Sequence, residues 1–132
     1  MPKNKPVVLD SNAVIHFILA YDMTKFKIVA QALTDTQCYV PIEVIAETVY
    51  VLNGKFQLDR QTVTAKLRDF IVIQDNLVSE INAIAFGLSI YASFKFDIVD
   101  SLIAGYAKVN GNPVLTFDSN LQKELAEQVY IP

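Results

Sequence analysis

The chain has 132 residues, 52% of them hydrophobic and 19% charged, with a net charge of -3. One domain of this size buries roughly 68% of its unfolded surface and needs no staples, and a single cysteine, Cys38, excludes an intrachain disulfide. No run reaches the ~20 uncharged apolar residues of a membrane span, and the mild acidity argues weakly against nucleic acid as a partner. In chain order, "PVVLD" reads as a short buried parallel strand. "SNAVIHFILAY" reads as a helix capped by Ser11 or Asn12, and "MTKFKIVAQALT" as a second helix. "QCYVP" is strand-like, with Cys38 packed as a small hydrophobe, as in a reducing compartment. Pro41 suits the first turn of the helix "IEVIAETVYVLN", which stops before Gly54.

"LDRQTVTAKLRDF" opens with Asp59 as a candidate cap and is amphipathic, and "FIVIQ" reads as a strand. "NLVSEINAIAFGLSIYASF" is one long helix despite Gly87, and "FDIVDSLIAGYAKVNG" is another, closed by Gly111. "PVLTF" is a strand, "SNLQKELAEQ" a helix and "VYIP" a last short strand. No linker, repeat or low-complexity stretch divides the chain, so residues 1–132 are expected to form a single domain. Alternating strands and helices imply a three-layer α/β fold with a mostly parallel sheet of about 4–5 strands. The N-terminus lacks the apolar run of a secretory signal, because Asp10, His16 and Asp22 interrupt it, so a cytoplasmic location is expected.

In such sheets ligands bind beyond the carboxyl ends of the strands, and Asp10 and Asp118 each end one. Either residue can serve as a helix cap. Ser11 and Asn12 compete for the first cap, and a Ser119–Gln122 capping box competes for the second, which leaves both aspartates for other work. Glu47 lies mid-helix among apolar neighbours, where a buried carboxylate is costly unless paired or metal-bound; a solvated stripe is its bland alternative. Asp97 and Asp100 share a helix face. Asp97 suits an N-cap with Asp100 as its capping-box partner, so a mixed role is expected for Asp97 and a functional one for Asp100. Asn12 and Thr116 are polar companions at the same strand ends. Oxygen-only ligands without a histidine or cysteine cluster suit Mg²⁺ or Mn²⁺, and such an ion serves phosphodiester chemistry. Setting four carboxylates apart in a metal site turns the remaining charge slightly positive, which weakens the argument from acidity against nucleic acid.

With "VVLDSNAVI", "VIAETVYVL", "FDIVDSLIAGYA" and "VLTFDSNL" in this order and spacing, essentially the whole chain resembles a PIN domain, and most closely the VapC-like toxins of prokaryotic toxin–antitoxin pairs. The resemblance implies a metal-dependent endoribonuclease that hydrolyses RNA, with Asp10, Glu47, Asp100 and Asp118 as the acidic quartet that holds Mg²⁺ or Mn²⁺. It gives Asn12 and Thr116 supporting polar roles, makes Asp97 a fifth, outer-sphere acid of the metal site, and implies a homodimer held off by a small antitoxin.

His16 is a possible general base, but helix packing or a solvent-facing position is the expected role of a lone histidine. Tyr50 and Tyr91 are expected in a core or interface. Lys25, Lys27, Arg60, Lys66, Arg68 and Lys95 are candidate phosphate contacts, or simply a solvated face. The competing functions are a PIN nuclease of RNA processing, a non-catalytic RNA- or protein-binding module, and a phosphatase with Asp10 as nucleophile. The phosphatase needs an acid two residues on, where Asn12 stands, and leaves Glu47 unused.

Overall fold

The computed structural model describes residues 5–132, which form two compact units, one running to Glu80 and the other spanning Ile81–Pro132. The order in the first is β1 (Val7–Val8), α1 (Ser11–Leu19), α2 (Met23–Asp35), β2 (Cys38–Tyr39), α3 (Ile42–Gly54) and α4 (Arg60–Ile73). The second contains α5 (Ile81–Ser93), α6 (Ile98–Asn110), α7 (Ser119–Leu125) and a 3₁₀ turn, Ala126–Gln128. No helix among the described residues is long and apolar enough to cross a membrane.

In the first unit β1 and β2 pair in parallel, Val7 opposite Cys38 and Val8 opposite Tyr39. A parallel bridge from Cys38 to Leu77 adds a third extended position. The expected strand at "FIVIQ" is instead the last turn of α4: Phe70 and Ile71 are buried while Val72 and Ile73 are exposed, a helical rather than an alternating pattern. The extended pairing moves to Leu77, whose flanks bond Cys38 on both sides, Cys38 N–H to Asn76 carbonyl and Val78 N–H to Cys38 carbonyl, each 2.9 Å. Those bonds remove Asn76–Glu80 from the expected long helix, which starts at Ile81.

β1 differs from a fully buried strand. Val8 is 62% exposed beside buried Leu9, so the strand alternates in the manner of one with a single covered face. α1 packs on α2, α3 and α4; Phe17 joins them, stacked on Phe26 at 5.1 Å and tilted against Phe70 at 5.6 Å. Val14, Ile45, Val49, Leu52, Val63, Leu67 and Ile71 are fully buried in this core. Buried Cys38 packs there as expected, and burial pushes its thiol pKa up, which keeps it protonated and unreactive.

In the second unit α5 and α6 make the closest helix pair. A Cβ on Gly105 would collide with the Ala83 carbonyl oxygen and lie 3.0 Å from the Gly87 nitrogen; a Cβ on Gly87 would lie 3.0 Å from the Ser101 carbonyl oxygen. The two glycines let the backbones meet, which explains a glycine that helix propensity alone disfavours. Ile90, Ala104, Ala107, Leu121 and Leu125 form the core beneath, with Phe96, Val114 and Val129 packed on it. "PVLTF" and "VYIP" are reduced to a single parallel bridge between Val114 and Val129. Of the expected sheet of about 4–5 strands, the described residues show a two-stranded parallel sheet and two isolated parallel bridges, and the chain is largely helical.

Candidate functional site

The chain turns from β1 into α1 at Asp10. Its backbone is still extended, whereas Ser11 and Asn12 already lie inside the helix. Asp10 is therefore the cap, accepting the Ala13 N–H at 2.9 Å through one carboxylate oxygen, and the expected cap at Ser11 or Asn12 is corrected. Asn12 stands exposed in the first turn. The freed hydroxyl of Ser11 does something else: it donates to the Glu47 carboxylate.

That bond locates Glu47. Its expected burial is not observed: Glu47 stands on an exposed stripe of α3 with Glu43 and Tyr50, while Ile45, Ala46, Thr48 and Val49 turn inward. The run of apolar neighbours belongs to the other face of the helix. Glu47 is thereby tied to the start of α1 by a hydroxyl bond from Ser11, the residue after the Asp10 cap. Ser11 is a site residue that sequence reasoning placed only as a cap; the signal was a hydroxyl directly after an acid that had itself taken the cap.

Asp118 repeats the arrangement in the second unit. It caps α7 by accepting the Leu121 N–H at 2.9 Å, and the expected Ser119–Gln122 box does not form. Gln122 instead donates its side-chain amide to the Thr116 carbonyl at 2.8 Å, and the Thr116 hydroxyl accepts the Asp118 N–H at 3.1 Å. Thr116 fixes the turn that presents Asp118. Asp97 occupies the N-cap position of α6 with Asp100 in the first turn, but it makes no side-chain capping bond, so the expected capping box is absent.

Asp100 is half-buried, and its carboxyl pKa is raised by burial first, then by the negative charges of Asp118 and Asp97. The three acids of this unit thus concentrate like charge on one group. A cap consumes one carboxylate oxygen, and a carboxylate has two, with about four lone-pair sites. Capping and metal ligation are therefore compatible at Asp10 and Asp118. The donors are all oxygens, and the like charge among Asp97, Asp100 and Asp118 is of the kind a divalent ion relieves, so the donor set suits Mg²⁺ or Mn²⁺ by chemistry. No three of His, Cys, Asp and Glu among the described residues stand close enough to form a chelate.

His16 is buried, its ring 4.8 Å from that of Tyr21, and its Nδ1 has no hydrogen-bond partner among the described residues. It packs, as expected, rather than facing the acids' solvent-exposed stripe. Tyr91 is buried and Tyr50 half-exposed.

The sequence profile of the PIN domain matches residues 7–127, and the chain belongs to that family, whose members are generally metal-dependent nucleases. No curated protein and no solved structure matches the chain.

Two measurements separate the capping role of Asp10 from any other. Asp10→Asn keeps a good cap and is expected to unfold within about 0.5 kcal/mol of the wild type, whereas Asp10→Ala loses about 1 kcal/mol in urea denaturation. Both are expected to lose activity, which a purely capping Asp10 would not explain for the Asn variant.

Proposed function

We propose that this chain is a metal-dependent endoribonuclease, a single PIN domain over residues 1–132 acting as the VapC-like toxin of a toxin–antitoxin pair. Asp10, Glu47, Asp100 and Asp118 are its catalytic acids and hold Mg²⁺ or Mn²⁺, with Asp97 as an outer acid. The carrying observation is the like charge that Asp97 and Asp118 impose on half-buried Asp100, in a chain whose family membership covers every one of these positions. When bound, the ion lowers the pKa of water and stabilises the leaving oxygen of the scissile phosphodiester.

The chain's own residues do the positioning. Ser11 holds the Glu47 carboxylate, Thr116 sets the Asp118 turn, and Asn12 supplies an exposed amide for a phosphate or water. Asp97 and Asp100, at the N-cap and in the first turn of α6, would offer carboxylate oxygens to the cation. The apolar-rich composition supports a homodimer, and the resemblance to VapC-like chains supports a cytoplasmic toxin restrained by a small antitoxin protein.

The test is incubation of the purified chain with a mixed RNA pool in Mg²⁺, in Mn²⁺ and in EDTA. Cleavage is expected with either ion and none in EDTA. A chain that binds Mn²⁺ and RNA without cutting any RNA is a binding module instead. Growth arrest on expression, relieved by the product of an adjoining short reading frame, is expected of a toxin and not of an RNA-processing nuclease.

A further inference from the structure

The turn from α5 into α6 and the outer face of α7 enclose a groove of about 340 Å³, lined by Phe94, Lys95, Phe96, Asn120, Lys123 and Glu124. We propose that this groove is a nucleotide subsite that takes one unpaired nucleotide of the RNA substrate, its base against the Phe94–Phe96 pair and its phosphate between Lys95 and Lys123. The inference rests on the nuclease reading and deepens it, by naming where one nucleotide of the strand binds.

Four observations carry it. The two rings form a tilted pair, centroids 6.2 Å apart at 45°, and Phe94 is 48% exposed although a phenylalanine side chain favours burial. Phe96 packs on the core of Ile90, Ala104 and Leu121, which fixes one side of the pair. Lys95 and Lys123 both stand exposed at the rim, a cationic pair beside an aromatic one, which is the composition of single-strand binding surfaces. The volume lies in the range of small-ligand sites, about 300–1,000 Å³.

Position completes the argument. Phe96 directly precedes Asp97, and Asn120 follows Asp118 by two residues, so the groove borders the acids of this unit. A strand lying there presents its neighbouring phosphate to them. Asn120 and Glu124, four apart on α7, share a face and offer a donor and acceptors to the edge of the base. A paired base cannot stack on a protein ring, so the groove selects loops and single strands.

The experiment is fluorescence anisotropy of a labelled single-stranded oligoribonucleotide in EDTA, with steady-state cleavage in Mg²⁺ measured in parallel. Lys95→Ala combined with Lys123→Ala is expected to weaken binding about ten-fold and to flatten the salt dependence by roughly 0.7 per lysine. Phe94→Ala is expected to weaken binding about five-fold without changing that slope. In cleavage both raise KM and leave kcat within about two-fold, a split that mere structural damage would not give. Lys108→Ala, exposed in the last turn of α6 at the far end of that helix from Asp97, is the control. If the lysine pair and Phe94 variants bind and cleave with wild-type Kd and KM while the wild type cuts RNA, the subsite is wrong and the nuclease reading stands. If the wild type binds RNA, the variants lose it, and nothing is cleaved, the groove stands and the nuclease reading falls. If the wild type neither binds nor cleaves, the subsite is overturned with it.

Discussion

Asp100→Asn is expected to lower kcat by at least about 100-fold, the scale on which a metal-site group acts, and at the same time to make the metal-free protein more stable. The second half follows from linkage. The folded-state pKa of Asp100 is raised, by burial and by Asp118 and Asp97, so the folded chain holds this proton more tightly than the unfolded chain does. Above the raised folded value the charged carboxylate opposes folding. As pH falls through that value toward the ordinary carboxylate value of about 3.9, the penalty disappears. Asparagine keeps the shape and removes the charge at every pH. A rise in Tm of roughly 1–3 °C in EDTA at neutral pH is expected, shrinking as the buffer is made acidic. Added Mn²⁺ raises the wild-type Tm, since a ligand at a hundred times its Kd stabilises by about 2.7 kcal/mol. The variant shows a much smaller rise. An Asp100→Asn protein that loses both activity and stability in EDTA would mark Asp100 as structural.

Gly105→Val is expected to cost about 3 kcal/mol, the upper part of the range for overpacking, and to lower Tm by roughly 10 °C. The added side chain has no room against the Ala83 carbonyl and the Gly87 backbone. Its neighbours are backbone atoms of α5, which cannot rotate aside, so the helices must separate. Because α6 also carries Asp97 and Asp100, the surviving folded protein is expected to show lower kcat as well. Gly54→Ala is the opposite case. Nothing lies within 4 Å of a Cβ there, the backbone is helical, and the substitution is expected to stabilise by about 0.5–1 kcal/mol. Thermal melts of the two variants measure the difference between a glycine that a close approach requires and one that it does not.

Helix positions were legible because amphipathic periodicity and capping chemistry act locally. Asp59 caps α4 through the Thr62 N–H at 2.8 Å, and Gly111 closes α6 with φ at 72°, both as their residue types predict. Strand content was less legible. "FIVIQ" is β-branched and apolar, yet it continues α4, because the neighbour that settles its conformation is distant in sequence: Cys38 pairs with Leu77 instead. Short apolar runs carry no period that separates the two states.

Residue type and position single out the acids, and their local roles differ from the expected ones for one physical reason. Hydroxyl and amide residues follow Asp10 and Asp118 and compete for the caps on sequence grounds. The cap goes to whichever residue has the extended backbone at the boundary, and in both turns that residue is the aspartate. Glu47 was weighed as buried because its sequence neighbours are, although they face away from it around the helix. Ser11 was hidden because its partner lies 36 residues on.

The most direct test of whether these acids are metal ligands or only caps is titration of Mn²⁺, followed by its electron paramagnetic resonance signal, into the wild type and into Asp10→Asn, Glu47→Gln, Asp100→Asn and Asp118→Asn. The prediction is saturable binding by the wild type and an affinity at least about ten-fold weaker in every variant, each still folded by circular dichroism. Wild-type protein that binds no Mn²⁺, or variants that all bind it as the wild type does, would contradict the account.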